Sequence, residues 1–347
     1  MSNTGRVPAD AVKYFLLIIG SLFSLLVQGQ DIHYSQYYNA PLTINPSYTG
    51  SFDGDYRVGA NYRQQWRSVT VPYRTLSAFA DISLLSRHHK SSFPSFGLNM
   101  IRDKAGDGNL SVTKLFGSFA YHIAFNHRRD QILTLGIQGG YVQKSLDWQF
   151  LYFNSQWNEQ QFDQNLPSEE NNSTAKIGYP DFSVGANFSN VVNRHTNYYA
   201  GIAVYHMARS QESFYGMDNQ PGLRPVLNGG LNFTVGQALQ LHPSFEYMNQ
   251  KKASELVLGS LMSYDLGENS GNGFDKLYAG VFYRVKDALI PVIGYGYGNW
   301  KLTINYDINM SELTPFSNGR GAWEISLIYT GLYNKLARTI IMPCPRF

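Results

Sequence analysis

From Gly50 to Leu85 the chain alternates. Tyr56, Val58, Ala60 and Tyr62 fall on one face, and Arg57, Gly59, Asn61 and Arg63 on the other. After a short polar break, Leu76, Ala78, Ala80, Ile82 and Leu84 alternate with Thr75, Ser77, Phe79, Asp81 and Ser83. Strand side chains point to opposite faces with a period of two, so each run predicts a two-faced strand. A soluble sandwich would bury the apolar face against a second sheet. A membrane barrel turns it to lipid and keeps small and charged groups in the lumen.

The same pattern recurs down the chain. Leu115, Phe119, Tyr121, Ile123 and Phe125 oppose Ser118, Ala120 and His122, and Leu133, Leu135, Ile137 and Tyr141 follow. Phe182 to Ser189, Leu227 to Val235, Leu239 to Tyr247, Trp300 to Asn309 and Trp323 to Tyr329 continue the alternation. Weaker segments near 96–101, 198–207, 254–264, 276–284 and 288–297 bring the expected total to fourteen strands, with 110–125 as one. Segments of about 8–12 residues match the ~9–11 that a tilted membrane-crossing strand requires. Many end in Tyr or Trp, among them Tyr62, Tyr247, Tyr264, Tyr283, Tyr297, Trp300 and Tyr329, as interfacial girdles do. The even count also suits a single-chain barrel.

These signs predict an all-β fold, a transmembrane antiparallel up-and-down β-barrel over residues 56–331. Parity places the three longest connections, 144–180, 208–223 and 309–321, at one end, opposite the entry of the first strand. Short turns face the periplasm and longer loops the exterior in such barrels. Residues 30–55, broken by Pro41, Pro46 and Gly50, read as an extended periplasmic lead-in; 332–347 read as a periplasmic tail. The 144–180 loop carries Trp148, Phe150, Tyr152, Phe153 and Trp157 before a polar tract. A loop this long is commonly functional, and its aromatic half is expected either to plug the lumen or to receive a partner.

Composition sharpens the choice of solvent. The 347 residues include 25 Tyr, 21 Phe and 32 Gly, yet only 15% are charged, against about 25% in average soluble domains. Arg6 and Lys13 precede an uncharged, largely apolar run from Tyr14 to Val27, too short for a comfortable membrane helix and suited to a cleaved export signal over 1–29. The remainder holds 26 basic and 24 acidic residues, a balance unlike that of a nucleic-acid binder. Cys344 is the single cysteine, so neither an internal disulfide nor a thiolate metal cluster is expected.

No catalytic pattern emerges, and no cofactor, metal or small-molecule substrate is expected. His88 and His89 sit beside Arg87 and Lys90 and read as a basic rim; His122, His206 and His242 read as lumenal or rim polar groups. Asp103 to Asn109 has Ala105 and Lys114 where a calcium loop needs oxygen ligands, so a polar turn is the better account. Arg57, Arg63, Arg67 and Arg74 gather with Gln64, Gln65 and Trp66 around the first hairpin. They form either a lumenal charge ladder, with Asp81 and Glu324 as partners, or a site for a carboxylate or peptide terminus.

The opening residues carry a resemblance. Asp31, Ser35-Gln36-Tyr37-Tyr38, Pro41, Asn45-Pro46, Thr49-Gly50, Gly54-Asp55-Tyr56-Arg57, Asn61 to Trp66 and Pro72-Tyr73 resemble the signature of the PorP/SprF family. Lys286 to Ile290, Gly294-Tyr295 and the closing Cys344-Pro345-Arg346-Phe347 add to it. Ile32 stands where that family commonly has Pro, and the 144–180 loop is distinctive. The resemblance implies an outer-membrane component of type IX secretion and gliding systems. Its implied partners are secretion components, the C-terminal domain of a secreted surface protein, and membrane lipid. On that reading Gln36, Tyr37, Arg57, Arg63, Trp66 and Tyr73, with Trp148 and Trp157 of the long loop, are framework or client-contact residues. A passive pore is the rival expectation.

Overall fold

The computed structural model describes residues 31–333, apart from 69–70, 85–91, 127–128, 164, 170–174, 217, 270–272 and 313. The expected export signal over 1–29, the His88–His89 pair and the tail beyond Tyr333 therefore lie outside the described residues. All fourteen alternating segments form strands. They are β1 (Tyr56–Gln65), β2 (Tyr73–Ser83), β3 (Ser92–Ala105), β4 (Leu110–Ala124) and β5 (Gln131–Ser145). Then come β6 (Lys176–Asn193), β7 (Thr196–Tyr205), β8 (Arg224–Val235), β9 (Leu239–Gln250) and β10 (Ala253–Asn269). β11 (Gly273–Arg284), β12 (Ala288–Tyr297), β13 (Trp300–Asn309) and β14 (Arg320–Gly331) complete the wall. Each strand pairs antiparallel with its sequence neighbours, and β1 pairs with β14, so the sheet is closed. Closure removes the unpaired edges that an open sheet would present.

Register fixes the faces. Arg57 sits opposite Asp81 on β2, and Arg63 opposite both Thr75 on β2 and Glu324 on β14; all are buried on the lumenal side. The intervening residues point outward, and Leu76, Leu98, Leu115, Ile137, Val281 and Ile293 are exposed as a lipid-facing surface requires. Among the described residues no helix is long and apolar enough to cross a membrane. Asp55 and Gly331 meet at the end that carries the short turns, where the Asp55 amide donates to the Gly331 carbonyl at 2.8 Å.

The lead-in differs from expectation. Residues 31–55 are not extended alongside the wall but folded inside it, as three successive single-turn 3-10 helices at 37–39, 41–43 and 46–48. Its partners lie on strands all around the barrel, from Ser118 on β4 to Asn305 on β13. Tyr37, Tyr38, Ile44 and Tyr48 pack with Val257, Leu261, Phe282, Ile290 and Val292 of β10 to β12 in one buried cluster. The apolar core therefore sits within the lumen, each such side chain contributing roughly 1.5–3 kcal/mol on burial. Prolines at 41 and 46 start two of the turns, where a missing amide hydrogen costs nothing.

Candidate functional site: the filled lumen

Irregular backbone at membrane depth persists only where protein groups satisfy its amides and carbonyls. Segment 31–55 meets that demand through two charged anchors near the long-loop end and a ladder of mostly neutral contacts below. The first anchor surrounds Ser35. Its amide and that of Gln36 donate to the two Glu324 oxygens at 2.6 and 2.9 Å. Its hydroxyl donates to Asp307 at 2.6 Å and accepts from Arg63 and Arg284, both at 2.5 Å. Arg63 is ion-paired with Glu324, and both arginines stand 3.3 Å from Asp307. Two cations thus face two anions across one serine, all but excluded from water.

The second anchor holds Asp31. Lys114 of β4 is ion-paired with it, Arg224 of β8 lies 3.2 Å away, and Gln250 of β9 accepts from its amide at 2.9 Å. His206, just beyond β7, bridges Asp31 at 3.2 Å and Asp181 at 2.7 Å. Burial pushes the Asp31 carboxyl up, but Lys114, Arg224 and His206 together outweigh it and hold it well below the usual carboxylate range. Burial pushes the His206 imidazole down; its bonds to Asp181 and Asp31 prevail and raise it.

Lower contacts are mostly neutral until the far end, although Lys301 donates to Asn39 at 3.1 Å and Arg224 to the Thr43 carbonyl at 3.3 Å. Gln36 donates to Asn305 at 2.7 Å, Tyr37 shares a hydrogen bond with Ser244 at 2.8 Å, and Asn39 donates to Thr303 at 2.8 Å. Asn45 reaches the carbonyls of Ala186 and Ile202, both at 3.2 Å. Here the segment touches the wall: a Cβ on Gly136 would stand 2.3 Å from the Ser47 nitrogen, and one on Gly185 2.0 Å from Asn45 Oδ1. At the short-turn end Gly50, whose φ of +73° favours glycine, donates to Asp81 at 2.8 Å. Arg57 grips the same carboxylate through two bonds of 3.0 and 2.8 Å.

Of the residues singled out in the sequence, Gln36, Tyr37, Arg57 and Arg63 meet in this lumenal network, and Asp81 and Glu324 are indeed their arginines' partners. Trp66 and Tyr73 pack edge-to-face, 5.1 Å apart, at the long-loop rim. Trp148 and Trp157 belong to the long loop, where Trp148 packs against Phe153 and Tyr215 and Trp157 against Phe162. These four do not join the lumenal network. Arg74 is not lumenal either; it is exposed on the outward face beside Leu76. Asp31 and Ser35, which the sequence offers only through the resemblance, and Lys114, Arg224 and Arg284 are not among the expected site residues, although the last three fall on inward positions of alternating runs. His122, between Ser95 at 3.0 Å and Thr134 at 2.9 Å, is capped by Gly50 and stacked on Phe93. This Ser–His pair is packed shut.

A family model described as "Type IX secretion system membrane protein PorP/SprF" matches residues 26–329. No curated protein matches the chain. Among solved structures, the Pseudomonas putida toluene transporter TodX is 13% identical, with 86% of this chain and 93% of that one covered at a TM-score of 0.47. The Ralstonia pickettii toluene transporter TbuX is 10% identical over 84% and 92%, with a TM-score of 0.46. A Pseudomonas aeruginosa FadL homologue is 10% identical over 82% and 92%, with a TM-score of 0.45. Likeness at this level carries no functional assignment.

Proposed function

The chain belongs to the PorP/SprF family of type IX secretion system membrane proteins, and from that premise we propose that it is a non-catalytic outer-membrane scaffold that captures a partner protein. The supporting observation is the occupied lumen, with residues 31–55 held at one end by the Asp31–Lys114 ion pair and at the other by the Gly50 amide on Asp81, itself paired with Arg57. A barrel filled by its own chain has surfaces to offer at its two rims rather than an aqueous path. The long-loop rim, with Trp148 and Trp157, faces the exported protein, and the short-turn rim faces the periplasm once the signal over 1–29 is removed. The partner is the C-terminal domain of an adhesin-like surface protein, or a subunit of the periplasmic secretion ring. Crosslinking in the native membrane followed by purification of the tagged barrel tests this. Recovery of either partner supports the proposal; recovery of the barrel alone, together with steady ion conductance in a bilayer, overturns it.

A further inference from the structure

The outward face of β2 and β3 gathers more charge than any other neighbouring pair of described strands. Near the long-loop rim Arg74 lies directly opposite Lys104, and Leu76 opposite Arg102, so three cations gather on neighbouring strands. All three are exposed on the outer surface at the edge of the apolar band of Leu76, Leu98, Met100 and Leu115, Arg102 level with Leu76 and the Arg74–Lys104 pair one step beyond it. Asp103 does not neutralise them: it alternates inward and accepts from Thr75 at 2.6 Å. Arg74, Arg102 and Lys104 make no ion pair or hydrogen bond to any described residue. Like charges placed directly opposite in a sheet repel. On the next strand Ser111 sits opposite Lys104 and Thr113 opposite Arg102, adding two hydroxyls to the patch. At the same level on β6 a single outward cation, Lys176, sits opposite Ser145, whereas Val285, Leu289, Met310 and Gly321 on this rim are uncharged.

We infer that Arg74, Arg102 and Lys104, with the Ser111 and Thr113 hydroxyls, form a binding site for the phosphate group of a lipid in the adjoining leaflet. A phosphate would relieve the repulsion, and guanidinium groups suit its geometry because they donate two parallel hydrogen bonds. The occupant is a lipid, not a free anion, because the cations continue upward from a surface already clothed by acyl chains. Basic clusters at this depth recognise anionic head groups.

The test needs no variant at first. The full barrel is placed in phosphatidylcholine vesicles doped with either phosphatidic acid or the phosphate-free diacylglycerol, re-extracted, and its retained lipid weighed by native mass spectrometry. Three cations near one anion predict a preference for phosphatidic acid of roughly tenfold or more. The triple variant R74Q/R102Q/K104Q, checked for intact folding by its heat-dependent gel mobility, loses that preference. R102Q alone retains part of it, and excess inorganic phosphate fails to displace the lipid. Equal retention of the two lipids by the natural chain overturns the site, as does undiminished preference in the triple variant. Displacement of the lipid by inorganic phosphate likewise overturns it as a lipid site.

Discussion

Two irregular, aromatic-rich segments of this molecule meet opposite fates. Residues 31–55 are buried almost throughout, whereas the 146–175 connection leaves Phe150, Tyr152, Trp157 and Phe162 exposed. Aromatic content does not separate them; polar complementarity does. The first segment brings Ser35, Gln36, Asn39, Asn45 and Thr49 to meet inward groups on the wall, so its non-strand backbone is satisfied within the barrel. The second satisfies itself locally, with Asn158, Asp163 and Gln156 bonding within a few residues, and turns its rings outward. A segment with wall partners becomes framework. A segment without them is left to face something else.

Glu324→Ala breaks that comparison most sharply. It strips Arg63 and two backbone amides of their partner inside the lumen, a loss of about 3–5 kcal/mol, read as a lower unfolding midpoint in urea-containing lipid vesicles. Gly136→Val comes next. Its side chain would occupy the space of the Ser47 nitrogen, and overpacking of this kind costs about 1–3 kcal/mol; the measurable sign is proteolysis within 41–52. The paired change Trp148→Ala and Trp157→Ala should leave stability within about 0.5 kcal/mol while reducing recovery of the partner protein. If it unfolds the barrel instead, the loop is framework too.

The smallest effect is one of pH. A raised folded-state value means that His206 stabilises the anchor fully below the ordinary imidazole value of about 6.5. That contribution disappears as pH rises through the raised value. Asp31, held well below the ordinary carboxylate range, keeps its charge in mild acid, so mild acid has little effect there. Deuterium uptake at 31–35, after correction for the intrinsic rise of amide exchange with pH, should therefore grow on going alkaline, and His206→Gln should abolish that excess.

The wall was legible because one face of most strands meets lipid and the other meets polar groups, which writes the alternation into the chain. β10 to β12 read weakly for a physical reason. Val257, Leu261, Phe282, Ile290 and Val292 face inward against the filled lumen while Leu258, Val281 and Ile293 face lipid, so both faces are apolar. That loss of contrast was itself the mark of something greasy inside the barrel. Prolines and a glycine marked 30–55 as irregular but could not say on which side of the wall it lay. Arg57 with Asp81 and Arg63 with Glu324 were within reach because cross-strand register follows from alternation. Arg284 with Asp307 and the Asp31 anchor depend on where the inner segment runs, which no spacing along the chain encodes.

Single-channel recording in a planar bilayer tests the filled lumen most directly, by comparing the natural protein with one lacking residues 31–52. The natural protein should remain electrically silent and the shortened one should conduct. A natural protein that conducts steadily, with a current unchanged by the deletion, would contradict the account.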